Sequence, residues 1–150
     1  MLKPLQVLFV AILFSQSMAY AQTPTYDAQT IANFKKEVLP LVASEEKQIQ
    51  EMVDMIFSFG ELGFQEVETS KYITDILSKN GFSVERGISN IPTAWFAKWG
   101  SGSPVIALGS DIDCIPKASQ KPGVAYKDPI VEGAPGHGEG HNSGQSVIIF

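Results

Sequence analysis

The chain has 150 residues with 16 acidic and 11 basic side chains, a formal net charge of −5. That balance, with no Lys/Arg stripe or run, excludes a protein that grips nucleic acid through its phosphates. A single cysteine, Cys114, excludes an internal disulfide, so stability has to come from a buried core or a bound metal.

The first 21 residues read as a leader rather than as part of a fold. Lys3 supplies a short positive start, Leu5 to Phe14 is almost unbroken apolar sequence, and Ala19-Tyr20-Ala21 is a small-x-small cleavage pattern. Together they predict a signal peptide over residues 1–21 and a mature start at Gln22. An apolar run of about ten residues falls short of the roughly 20 that a spanning helix needs. Loss of Lys3 with the leader moves the net charge to about −6. An exported chain without disulfides fits a bacterial periplasm, with no membrane partner after cleavage. Residues 22–150 suffice for one small domain. The sequence stops, however, inside the apolar run Ser146-Val147-Ile148-Ile149-Phe150, which reads as an incomplete N-terminal portion of a larger domain.

Ile31, Phe34, Val38, Val42, Ile49, Met52, Val53, Ile56 and Phe57 recur at three- and four-residue steps, one apolar face of an amphipathic helix. Pro40 lies within it and predicts a kink, or two helices meeting near Leu39. Gly60 to Glu66 interrupts the pattern as a loop. A second helix follows, with Tyr72, Ile73, Ile76 and Leu77 as its stripe and Asn80-Gly81 as its stop. Phe82 to Arg86 alternates like a half-buried strand, and Thr93 to Trp99 reads as the next strand. Trp95, Phe96 and Trp99 fit core and cross-strand packing. Gly100-Ser101-Gly102-Ser103-Pro104 is a turn, predicting a hairpin between the strands on either side of it. Val105-Ile106-Ala107-Leu108 is a continuous apolar run, as in a strand covered on both faces. Asp111 and Asp113 would then sit at its carboxyl end, where open α/β sheets gather ligands. Residues 117–135 form a long aperiodic loop. Asn142, with Gln145 three residues on, has the pattern of a helix N-cap and its capping-box partner.

The chemistry concentrates in Gly136-His137-Gly138-Glu139-Gly140-His141-Asn142, which holds both histidines of the chain. Alternation with glycine is the spacing of an extended segment, so His137, Glu139 and His141 are expected on one face. The glycines would let backbone pass close to an ion or ligand. Two imidazoles and a carboxylate near the acidic pair Asp111 and Asp113 suit a borderline-soft dication such as zinc. A metal-bound histidine commonly needs a carboxylate to fix its tautomer, a part that this acidic pair can play. Glu61 and Glu66 read as structural charges. Cys114 has only acids around it, which raise a thiol pKa, so it is not expected to act as a nucleophile.

The runs Glu61-Leu62-Gly63-Phe64-Gln65-Glu66, Ile91-Pro92-Thr93-Ala94, Gly109 to Pro116, Ser119-Gln120 and Gly136 to Asn142 together resemble one family. It is the zinc metallopeptidase and amidohydrolase family of aminoacylases, hippurate hydrolases and plant auxin-conjugate hydrolases. The Pro-Thr-Ala and Ser-Gln elements are similar to those of its aminobenzoyl-glutamate hydrolase branch. The resemblance covers about residues 45–150. It implies an α/β fold, the amino-terminal part of a di-zinc hydrolase catalytic domain with a mixed sheet flanked by helices. It also implies hydrolysis of an amide bond in an N-acyl amino acid or aminobenzoyl-glutamate-like substrate, with two zinc ions, or manganese or cobalt, in the complete protein. Glu139 and His141 match metal-ligand positions of the family. Asp113 matches the acid that orients the ligands, and Asp111 stands where other branches place a ligating histidine. Glu139 occupies a position that is cysteine in the family, exchanging a soft thiolate for a carboxylate able to bridge two ions. The family's general base, a further ligand and two further histidines follow beyond residue 150, so the chain alone is expected to be inactive; the complete form admits a homodimer. Two other readings stay open: an exported, non-catalytic metal- or ligand-binding relative, and a dipeptidase of the same family.

Overall fold

The structure is a computed structural model that describes residues 25–150; the signal peptide expected over residues 1–21 lies outside them. Four helices and a two-stranded antiparallel sheet make a mixed α/β arrangement. Among the described residues no helix is long and apolar enough to cross a membrane.

Helix α1 (Ala28–Ser44) is capped by Asp27, whose carboxylate accepts the Thr30 N–H at 2.7 Å, as a short acidic N-cap should. Pro40 sits inside α1, so the expected junction near Leu39 is corrected. The chain breaks instead at Glu45, between α1 and α2 (Glu46–Phe59). A second correction concerns what α1 covers. Ile31, Phe34, Val38 and Val42 form the predicted stripe, yet all are exposed and α1 buries no residue. An apolar face lowers free energy only by the area it removes from water, and among the described residues little lies against this one. The core begins in α2, with Met52 and Ile56 fully buried.

Helix α3 (Val67–Lys79) supplies the other half of the core through Ile73 and Leu77. It stops as expected: Gly81 is left-handed at φ 85° and the Phe82 N–H returns to the Leu77 carbonyl at 3.0 Å, a glycine-terminated helix end. Strand β1 (Ser83–Arg86) follows and pairs with β2 (Trp95–Lys98) in the register Val84 to Ala97 and Glu85 to Phe96. Phe82, Val84, Trp95 and Ala97 pack on the helical core, while Phe96 and Trp99 are exposed. Arg86 ties the sheet to α3 through hydrogen bonds to Thr74 and Asp75.

The hairpin is therefore β1 with β2, and the one expected across Gly100 to Pro104 does not form. Val105 to Leu108 is no strand; Val105 and Ile106 are each 82% exposed. A continuous apolar run signals a strand only when a neighbour supplies the ladder hydrogen bonds, and none of the described residues does. Helix α4 (His141–Ile149) packs against α2, and its N-cap is Gly140 at φ 86°. Asn142 is thus inside the helix rather than at its cap, and its side-chain amide donates to the Val53 carbonyl of α2 at 3.3 Å. The segment 117–135 carries no regular element, as expected.

Truncation should separate the two helical faces. Replacing Ile73 by alanine is predicted to cost about 2–5 kcal/mol. Val38→Ala should stay within about 0.5 kcal/mol. Urea denaturation of both variants checks this, and equal losses would mean that the α1 face is covered.

Candidate functional site

Three separate stretches are knitted together by main-chain bridges. Leu62 pairs with Cys114 in parallel and Ile115 with Gly136 antiparallel. The Cys114 N–H reaches the Glu61 carbonyl at 2.7 Å, and Ile115 and Gly136 exchange both hydrogen bonds at 3.1 Å. This stitching brings Asp113 beside the glycine-rich run.

The glycines have a mechanical reason. A Cβ on Gly136 would collide with the Ala118 carbonyl, and one on Gly138 would come within 2.6 Å of the Ile115 side chain. The close approach they permit in this structure is to the Ala118–Ser119 backbone at Gly136 and to the Ile115 side chain at Gly138.

His141 is held at both ring nitrogens. Nδ1 lies 3.0 Å from the Asp113 carbonyl oxygen and 3.1 Å from Asp113 Oδ1, and Nε2 lies 3.2 Å from Glu139 Oε2. A carbonyl oxygen can only accept, so Nδ1 carries the ring proton. An ionised carboxylate also only accepts, so a neutral imidazole would set the Nε2 lone pair against Glu139. A shared cation removes that conflict, whether a second ring proton or a metal ion. Tetrahedral zinc with bonds of 2.0–2.1 Å spaces neighbouring donors about 3.3–3.4 Å apart, close to the observed 3.2 Å. The pair fits as two donors of one ion. Among the described residues no group of three His, Cys, Asp or Glu side chains gathers closely enough to hold a metal. Asp111 is exposed and lines the same groove, of about 1020 Å³, as Asp113, Glu139 and His141.

His137 takes another direction, so the expectation of three side chains on one face holds for two. Its Nε2 donates to the Ile56 carbonyl at 3.0 Å and its ring lies against Phe57. Nδ1 is buried without a partner. Burial pushes the imidazole below its ordinary 6.5, partly opposed by the Ile56 hydrogen bond. Cys114 is buried, and desolvation with the neighbouring Asp113 raises its thiol to about 11, which rules out a ready nucleophile, as expected. Glu61 is structural in a definite way: its carboxylate accepts the Glu68 and Thr69 N–H groups, each at 2.9 Å, capping α3. Two contributors were not legible in sequence: the Asp113 carbonyl, since any residue has one, and Gly63, which lies against the Asp113 carboxylate.

Comparison with known proteins finds similarity to part of one curated protein. One relative is a subunit of the p-aminobenzoyl-glutamate hydrolase of Escherichia coli (strain K12), 34% identical over 101 residues, or 67% of this chain and 21% of that protein. This chain thus spans about a fifth of the length of the curated relative it matches. No family model and no solved structure matches the chain.

The lowered His137 affinity for protons sets a pH dependence. Below about pH 6.5 the unfolded chain takes up a proton at this position before the folded chain does, so folding stability falls as pH drops. Thermal melting between pH 7 and 5 should show that decline, and His137→Gln should flatten it. An unchanged slope in the variant would contradict the assignment.

Proposed function

We propose that this chain belongs to a metal-dependent hydrolase that cleaves the amide bond of an N-acyl amino acid or aminobenzoyl-glutamate-like substrate outside the cytoplasm. The observation that carries the reading is the 3.2 Å approach of His141 Nε2 to Glu139 Oε2 while Nδ1 is already committed to Asp113. The likeness to part of a p-aminobenzoyl-glutamate hydrolase supports the reaction class. His141 Nε2 and the Glu139 carboxylate would hold the ion, zinc or a similar dication, with Asp111 as the further donor in the same groove. When bound, such an ion polarises the scissile carbonyl and makes water nucleophilic near neutral pH.

The chain's own residues supply orientation. Asp113 fixes the His141 ring and keeps its proton on Nδ1, which leaves Nε2 free as a donor. The row runs from acceptor to imidazole to acceptor and aims one lone pair at one place. A catalytic zinc takes three protein ligands and amide hydrolysis needs a general base. The paired donors His141 and Glu139 therefore make a partial site.

Zinc titration of the full chain against a chromogenic chelator tests this. His141→Ala should abolish the site, and Asp113→Asn should weaken it about 10–100-fold, as loss of an orienting partner does. Zinc bound equally by His141→Ala and the native chain would overturn the reading. With zinc added, the 150-residue chain should hydrolyse p-aminobenzoyl-glutamate no faster than zinc alone. Turnover well above that would show that the chain is itself a sufficient catalyst.

A further inference from the structure

We propose that Glu66, together with Thr93, is a positioning residue for the Asp113–His141–Glu139 cluster, acting through the turn Leu62 to Gln65. This rests on the cluster being the functional site. Glu66 is only 8% exposed, it is not a member of the cluster, and its side chain makes no helix-capping hydrogen bond. It occupies the N-cap position of α3, where a carboxylate ordinarily turns to the helix N–H groups. Those donors are already taken by Glu61. Glu66 turns away from them, its Oε1 accepting the Phe64 N–H at 2.9 Å and its Oε2 the Thr93 hydroxyl at 2.6 Å. Thr93 is buried as well.

The turn held in this way is an unusual one. The Gln65 N–H bonds the Leu62 carbonyl at 2.9 Å, and Phe64 stands third in the turn at φ 64°. That position normally belongs to glycine, because a Cβ disfavours the left-handed region. Glycine is instead one place earlier, at Gly63. A Cβ there would lie 3.2 Å from Asp113 Oδ2 and 4.0 Å from Glu66 Oε1. The backbone of the turn therefore packs against both carboxylates. The Phe64 ring, 74% exposed, lines the same groove as Glu139 and His141. Glu66 holds Phe64 in a conformation that its side chain resists. The turn in return limits where the Asp113 carboxylate can go, and Asp113 sets the His141 ring.

The two histidines give the experiment its own control. Nitrogen-15 NMR of the imidazoles in the full, zinc-free chain reads the tautomer of each ring. In the native chain His141 should show one well-defined set of ring signals with Nδ1 protonated. Glu66→Ala should turn His141 into a mixture of forms while His137, tied to Ile56, keeps its signals; zinc affinity should fall about 10-fold. Glu66→Gln, which still accepts from Phe64, should restore most of the native His141 signal. Phe64→Gly in the Glu66→Ala background should restore part, since glycine adopts the turn unaided. Thr93→Val, which removes one of the two bonds, should give an intermediate shift.

Unchanged His141 signals in Glu66→Ala would overturn the proposal. So would equal movement of both histidines, or unfolding of both Glu66→Ala and Thr93→Val, since either marks a residue that holds the fold and nothing more. A native chain that binds no zinc, yet whose His141 follows Glu66, would sink the hydrolase reading and leave this one standing.

Discussion

The pair of main-chain hydrogen bonds between Ile115 and Gly136 is the constraint on which the candidate site depends. Twenty-one positions separate the two residues, and everything between them is irregular chain. That antiparallel bridge, extended by the bonds from Cys114 to Glu61 and from Ser119 to Ala134, closes the long loop and sets Asp113 against His141. Closing a loop costs entropy that grows only slowly with its length, so a few well-made bridges can hold it. The bridge is available only because position 136 has no side chain, as any Cβ there would meet the Ala118 carbonyl.

Around that bridge the carboxylates divide their tasks. Glu61 satisfies the start of α3 and Glu66 supports the turn beside Asp113. Asp113 and Glu139 stand at opposite nitrogens of His141. A helix terminus, a strained turn and an imidazole each want an acceptor, and one carboxylate could not serve all three. The glycine at position 63 belongs to the same arrangement, because a Cβ there would crowd the Asp113 carboxylate at 3.2 Å.

The parts of this arrangement that follow from local rules were legible in the sequence. The stripe of α3, its stop at Gly81 and the alternation of β1 depend on neighbours a few residues away. The pairing of Glu139 with His141 likewise needs only two positions of separation. What failed depended on distant partners. Val105 to Leu108 has the composition of a covered strand but finds no strand beside it among the described residues, and the α1 stripe has little to cover it. His137 and His141 share one alternating run, yet Ile56 captures the first and Asp113 the second. Glu61 and Glu66 are structural charges, as their spacing implies, but nothing local shows that Glu61 would take the cap and release Glu66. Periodicity reports which face is apolar; it does not report what arrives to meet it.

The central claim is that Nδ1 of His141 is committed to Asp113 and leaves Nε2 and Glu139 to share a cation. X-ray absorption at the zinc edge of the zinc-loaded chain tests it directly. The account predicts one imidazole nitrogen at about 2.0–2.1 Å with the remaining shell made of oxygen at about 2.0–2.2 Å, and no sulfur. A sulfur shell at about 2.3 Å would place zinc on Cys114, and a shell without imidazole would remove His141; either contradicts the account.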